Sequence, residues 1–409
     1  MDSAYLFFIA NYLAQGMIGI AYEPIGYLLK DVLHLTAGQS ATFAAWMSAP
    51  FLIKPLFGWL TDAFPLFGRR RGPYLVLWSV ATCAGWLALA RLRVYAYLPT
   101  LFLLTAVNVG IAFCDVLCDA VMVERGQALK KTGVYQAVQI GTLYLTLLAT
   151  GLGGGWLAEH ASYSRVFALT ALFPLLILAT IPLAQEGSAA APNAPRRAFV
   201  EIRMLATNSW FWRIAFVILL YNFNPFRGTP FFYFQSDALR FSKTFIGTLT
   251  SVGGVAGVVG AAAFGWVCKT RPRWVADTGR WLRFNVILGV ILTFSYLGYS
   301  STTSALALTA LTGACEVFMR LGLMDVAARV CPRGLEATSF ALLISAFNLA
   351  AWSSNTLGGK WFGAWSAGPA GPAGAMARLI LLSALATAAC WPLARGDWNF
   401  AARKDGDAG

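Results

Sequence analysis

Charge is what this sequence has least of. Asp, Glu, Lys and Arg together make up 12% of its 409 residues, about half the share of a soluble domain. So few charges cannot cover a water-facing surface, which argues against a soluble enzyme, a nucleic-acid binder and a disordered chain. Histidine occurs twice, as His34 and His160; both fall in predicted loops far apart, so a histidine metal site is not supported. The seven cysteines include no CxxC pair. Cys114 and Cys118 share a helix face, but no histidine joins them, and small buried side chains are the expected role. There is no HExxH, GxSxG or GxxxxGK[ST] run, so neither an enzyme nor a cofactor is expected. A basic leader is missing too: the first apolar run is too long for a signal h-region and nothing basic precedes it.

What the sequence has is apolar length. Hydrophobic residues reach 58% and mean hydropathy is +0.62. Stretches near the ~20 residues that cross a bilayer recur along the whole chain. They lie near 4–28, 38–60, 73–92, 97–123, 132–157, 163–184, 210–235, 243–267, 276–299, 302–328, 336–362 and 373–394. The fold class expected is therefore an all-α integral membrane protein with twelve transmembrane helices in two six-helix halves. The halves would be 1–184 and 210–395, joined by a cytoplasmic linker at 185–209 and followed by a short tail at 396–409. The linker, with Ala, Pro, Gly and Arg, reads as a flexible stretch plus an interfacial segment.

The net charge of +13 is distributed for a membrane rather than for nucleic acid. Loops after even-numbered spans, with the span ends beside them, hold sixteen Lys and Arg residues, among them Arg69, Arg70 and Arg71, against six in and beside the odd-numbered loops. The positive-inside rule then puts both termini in the cytoplasm or its topological equivalent; the plasma membrane and an organelle membrane both stay open. A weak repeat joins the halves: Phe57-Gly58-Trp59 and Phe264-Gly265-Trp266 each end a span before a basic loop, 207 positions apart. Such a same-direction repeat suits two bundles around a central cavity, the architecture of the major facilitator superfamily.

Charges inside the spans are the informative class, because one near the bilayer centre costs roughly 2.5–3.5 kcal/mol on insertion scales. Asp115 and Asp119 lie four apart, on one helix face; like charges there repel, which suits a proton site or a hydrogen-bond acceptor, unless Asp119 pairs with a nearby base. Glu23 precedes Pro24, a helix-loosening residue, and either binds substrate or a proton or lies solvated near an interface. Arg227 sits in the interrupted run YNFNPFRGTPFF, where it is expected to fork onto a substrate carboxylate or to bridge to an acid such as Glu23. Glu316 and Arg320, also four apart, read as an ion pair on one helix or as a pair that substrate or a proton breaks. Lys54 lies between prolines in span 2 and reaches the span 4 carboxylates or snorkels to the interface. The turn that follows, with Gly58, Asp62, Arg69 and Arg70, is read as a conformational latch whose bonds break as the bundle moves.

Four segments carry a family resemblance: NYLAQGMIGIAYEPIGYLLKDVLHLTAGQ (11–39), APFLIKPLFGWLTDAFPLFGRRRGPYL (49–75), DVLCDAVMVERG (115–126) and CPRGLEATSFALLISAFNLA (331–350). The chain resembles the folate–biopterin transporter family, a branch of the major facilitator superfamily. FFYFQSDALRFSKTFIG (231–247) is similar to that family's entry into span 8. The chain departs from the pattern at Phe226, Arg227 and Gly228, where the family more often has small hydroxyl or acidic residues, and at Arg320 and Asp325, where it tends to be apolar. The resemblance implies secondary transport of folates, pterins or related molecules, with proton coupling; a different cargo, S-adenosylmethionine, is also handled within that family. It adds Glu124, Arg125 and Glu336 to the gating set and Asn348 to the substrate set. Asp115 or Asp119 would accept bonds from a pterin ring, Arg227 or Arg320 would fork the tail, and Asp119 and Glu316 are the expected proton carriers. The partners implied are a small-molecule substrate, protons and the lipid bilayer, for a chain acting as a monomer. A carrier of another organic anion and a non-transporting sensor are the competing readings.

Overall fold

A computed structural model describes residues 3–129, 132–184, 208–271, 277–330 and 336–395. Among these the chain is helical almost throughout, and its only bridge joins Leu66 to Arg69. That is what lipid demands, since a spanning backbone must satisfy its own N–H and C=O groups. In order the helices are α1 (Ser3–Met17), α2 (Tyr22–Tyr27), α3 (Ala37–Ser48), α4 (Lys54–Ala63), α5 (Gly72–Ala90), α6 (Tyr97–Leu129), α7 (Thr132–His160), α8 (Tyr163–Thr170) and α9 (Phe173–Thr180). After the linker come α10 (Ser209–Asn222), α11 (Thr229–Tyr233), α12 (Lys243–Thr270), α13 (Thr278–Ser295), α14 (Thr302–Val330), α15 (Glu336–Ser366), α16 (Gly371–Ala388) and α17 (Trp391–Ala394).

Among the described residues, nine helical stretches are long and apolar enough to cross a membrane. The other three expected spans are also helical, but depart from a uniform apolar rod. Residues 37–63 are interrupted by a 3-10 turn at Ala49–Leu52, which holds Pro50 and is followed by Pro55. Residues 209–238 break at 223–228, where Pro225 and Gly228 fall. The third, α15, runs unbroken but carries Asn348, Ser353, Ser354 and Asn355 along its length.

The two parts of the chain repeat one corner. Leu28–Val32 and Phe234–Ala238 both widen into a π-type last turn. In the first, Leu33 N–H bonds to Leu28 O and Leu35 N–H to Leu29 O, each at 3.0 Å; in the second, Leu239 bonds to Phe234 and Phe241 to Gln235, again at 3.0 Å. His34 (φ 51°) and Arg240 (φ 52°) then take the left-handed conformation, which closes many helix ends but is uncommon for residues other than glycine. Thr36 and Ser242 cap the helices that follow, through Gln39 N–H and Phe245 N–H. Every equivalent pair is 206 positions apart.

Buried apolar clusters draw almost wholly from one side or the other of the linker. Phe7, Phe8, Leu75 and Tyr135 form one, and Trp86, Phe43 and Phe167 another. Ile214, Trp281 and Leu323 form a third, while Ala37 joins Phe226, Tyr233 and Leu379 in a fourth. The two sides meet chiefly along α7 against α12 and α3 against α15. Gly151 and Gly155 of α7 lie so close to Gly247 of α12 that a Cβ on Gly247 would overlap the Gly151 carbonyl. The contact continues as far as Tyr144 against Gly257. Further along the same helices, a Cβ on Gly141 or Gly265 would have nothing within 4 Å. Among the described residues, then, the halves close at the end bearing the two corners and part toward the end bearing the arginine-rich turn.

Candidate functional site

A cavity of about 710 Å3 lies mostly within the second half, beside the α7–α12 seam, within the roughly 300–1,000 Å3 of small-molecule sites. Most of its wall comes from α10 to α15 and the break between α10 and α11; the first half contributes Glu23 and Tyr144. Four charged residues line it: Glu23, Arg227, Glu316 and Arg320.

Arg227 hangs from the broken backbone of 223–228. Gly228 adopts φ 69°, and Asn355 Oδ1 of α15 accepts the Thr229 N–H at 2.8 Å, in space a Cβ on Gly228 would fill. So fixed, the guanidinium forks onto Glu316: Nη1 donates to Oε2 at 2.8 Å and Nη2 pairs with Oε1. Nη2 also donates to the Tyr296 hydroxyl at 3.1 Å, which in turn bonds Thr312 Oγ1 at 2.8 Å. The expected bridge from Arg227 to an acid across the cavity is formed, with Glu316 rather than Glu23. The helical Glu316–Arg320 pair is not formed, because a planar fork arriving from another segment meets both carboxylate oxygens at once. Arg320 instead lies exposed, its guanidinium 4.4 Å from the centre of the Phe347 ring. Glu23 accepts a 3.2 Å bond from Thr250 Oγ1 of α12, tying α2 to the opposite half. Asn348 follows Phe347 on α15 but is not part of the cavity wall.

Asp115 and Asp119 form a second charged cluster, outside that wall. Lys54 donates to Asp115 Oδ2, and the Tyr12 hydroxyl of α1 donates to Asp119 Oδ1 at 2.8 Å. Of the two expectations for Lys54, it reaches the span 4 carboxylates. Gln15 Nε2, one turn beyond Tyr12, is buried with no partner. The expected single site, with an aspartate at one end and an arginine at the other, is thus divided between two walls. Neither Tyr12 nor Thr250 stands out in the sequence, since one hydroxyl within an apolar helix is ordinary. Asn355 follows two serines, the trace of a polar stripe that faces the break.

The family model described as the BT1 family matches residues 15–395. The chain belongs to the BT1 family. It is similar to the protein named folate-biopterin transporter of Synechocystis sp., with 29% identity over 352 residues, covering 84% of this chain and 71% of the relative. It is similar also to folate transporter 2 of Plasmodium falciparum, 28% identical over 347 residues that cover 82% and 75%. Among solved structures, the nucleoside transporter NupG matches with a TM-score of 0.71 at 10% identity, covering 97% of this chain and 100% of that one. The D-xylose-proton symporter matches with a TM-score of 0.65 at 14% identity, covering 97% and 98%. The fold is thus that of the major facilitator transporters, and this BT1-family chain is a multi-pass membrane protein.

The residues expected to gate divide in this BT1 chain. Gly58 brings α4 against α6, where its Cβ would meet Val116 at 3.5 Å. Phe67 (φ 51°) and Gly68 (φ 72°) turn the chain after α4. Arg69 is exposed, and Arg70 is partly buried with no acceptor at Nε among the described residues. The arginine that ties the turn down is their neighbour Arg71, 4% exposed, which donates to Thr61 Oγ1 at 2.9 Å. Tyr74 adds a 2.7 Å bond to the Phe64 carbonyl. Arg125 donates to the Leu183 carbonyl at 3.0 Å, fastening α6 to the end of the sixth span. The side chains of Asp62, Glu124 and Glu336 lie outside the described residues.

Proposed function

We propose that this chain is a secondary transporter of folate- or pterin-type compounds that works by alternating access between its two six-helix halves, coupled to protons. The observation that carries the reading is this cavity, walled mostly by the second half with Glu23 and Tyr144 from the first. It combines two arginines and two glutamates with a wall of rings from Phe231, Phe232 and Tyr296. A pterin is flat, and its adjacent N–H donors suit a carboxylate; folate adds a tail that a guanidinium can fork. The names of the relatives from Synechocystis and Plasmodium support the same substrate class.

The sixteen basic residues of the even-numbered loops support placing the arginine-rich end in the cytoplasm, so the cavity of this conformation would open inward. Coupling would run through Asp119 or Glu316. A proton on Glu316 would weaken its fork to Arg227; one on Asp119 would change its bond with Tyr12 and its field on Lys54. Arg227 and Arg320, where the chain departs from its family, favour a second reading in which the cargo is a different organic anion.

The test is labelled folate uptake into proteoliposomes under an imposed pH gradient, with Asp119→Asn and Glu316→Gln beside the wild type. Uptake driven by the gradient and lost in either variant is expected. Uptake indifferent to the gradient would remove the coupling, and no uptake by folded wild type would favour the second reading.

A further inference from the structure

The two arginines on the cavity wall differ in what they have left to give. Arg227 is consumed within the protein: both terminal nitrogens pair with Glu316 and one also meets Tyr296. Arg320, one helical turn from Glu316, has no carboxylate within 4 Å among the described residues, and none of its N–H donors has an acceptor there. Among the described residues its guanidinium rests on the face of Phe347. A ring under the guanidinium holds its position and accepts no conventional hydrogen bond, so the donors at its edge remain available. We propose that Arg320 recognises a carboxylate of the substrate, and that it makes the cavity selective for pterins that carry a carboxylate over pterins that carry none. This rests on the pterin reading above and adds the group that sets its specificity.

The charge balance of the wall points the same way. Arg227 and Glu316 neutralise each other. What remains is Arg320 on α14 and Glu23 on α2. Glu23 has Thr250 as its bonding partner and no cation within 4 Å among the described residues. The empty cavity therefore presents a lone positive group and a lone negative group on walls from opposite halves. A ligand that offers N–H donors at one end and a carboxylate at the other satisfies both. A pterin without a carboxylate satisfies Glu23 and leaves Arg320 to solvent, so it forgoes the charge-assisted fork that a carboxylate gains. A planar, charge-assisted fork is worth more than a neutral hydrogen bond, so selectivity of about tenfold to a hundredfold is expected.

The experiment measures equilibrium binding to the purified full-length chain in detergent. Three probes are used: folate, folate with both tail carboxylates amidated, and biopterin. Wild type is expected to bind folate about tenfold or more tighter than the diamide. In Arg320→Leu that ratio should collapse toward one; in Arg320→Lys it should fall partway, because the charge is kept and the fork is lost. Phe347→Leu should lower the ratio without abolishing it. Equal wild-type binding of folate and diamide would overturn the proposal and leave the pterin reading standing, as would a ratio unchanged in Arg320→Leu. If the wild type binds none of the three, the pterin reading fails and this inference with it. The wild-type ratio requires no variant to fold, so it decides the matter even where Arg320→Leu does not.

Discussion

Asp31, at the end of the first span, accepts a 3.0 Å hydrogen bond from Lys243, the first residue of α12 in the other half. The bond has a counterpart: Lys30 meets Asp237 at 2.5 Å, so each half supplies one acid and one base. Lys243 also rests 4.3 Å from the centre of the Tyr27 ring. Exposed pairs of this kind contribute little to folding individually, about 0–1 kcal/mol. Bridging two halves, however, they bias which end of the cavity is shut. Replacing Asp31 and Asp237 by Asn should favour the state open at this end. The measure is maleimide labelling of Ser40→Cys, next to Tyr233, in a background free of other cysteines. Labelling several times faster is expected, and an unchanged rate would count against the clasp.

The Arg227–Glu316 fork makes a prediction about pairs. Removing one member of a fully buried pair costs roughly 3–5 kcal/mol, and removing both costs much less. Here about a third of each side chain is exposed, 37% and 34%, so the single losses should be smaller. Arg227→Gln and Glu316→Gln should each lower the thermal midpoint in detergent, and the double variant should lie above the lower of the two. Additive losses would mean the two side chains are not coupled in solution.

Glycine substitutions on α12 should separate contact from propensity. Gly247→Ala drives a methyl into the Gly151 carbonyl and should destabilise by about 1–3 kcal/mol through overpacking. Gly265→Ala, on the same helix with nothing within 4 Å, should be neutral or stabilise by up to about 1 kcal/mol. Thermal unfolding of the two variants side by side checks this, and equal effects would sink the close-contact account of the α7–α12 seam.

At the arginine-rich turn the ranking of three neighbours is itself testable. Arg71→Ala removes a buried donor to Thr61 and should lower stability by about 1–3 kcal/mol. Arg69→Ala, exposed, should change it by less than about 0.5 kcal/mol. Finding Arg69 the more damaging would show that the turn is held by other contacts.

Much of this was written plainly in the chain. Apolar runs and basic loops are one-dimensional signals, so spans, helices and loop positions are legible from them. The break at Pro225–Gly228 is legible because those residue types disrupt a helix wherever they stand. The partner of Arg227 was open to the wrong reading: Glu316 and Arg320 have ideal helical spacing, yet the bond went to a group 89 positions away. Spacing along one helix carries no knowledge of what another brings. For the same reason Asp115 and Asp119, correctly placed on one face, could not be assigned to a wall. Tyr12, whose hydroxyl selects Asp119, looks like any tyrosine in an apolar run.

The duplicated corner was the least legible element. LLKDVLHLT and FQSDALRFS share little beyond an aspartate, a leucine and a hydroxyl cap, while their backbones agree bond for bond. Shape here belongs to the main chain and complementarity to the side chains. The two nine-residue pieces therefore share one backbone course but not one set of packing side chains: Leu28 and Leu29 are buried where the second piece has Phe234 and Gln235. With the second piece's side chains in both places, the chain would keep Asp31 but lose Lys30, and with it one of the two charges that each half lends the other. One main-chain mould recurs, and only the difference between its two sets of side chains makes a lock that fits itself.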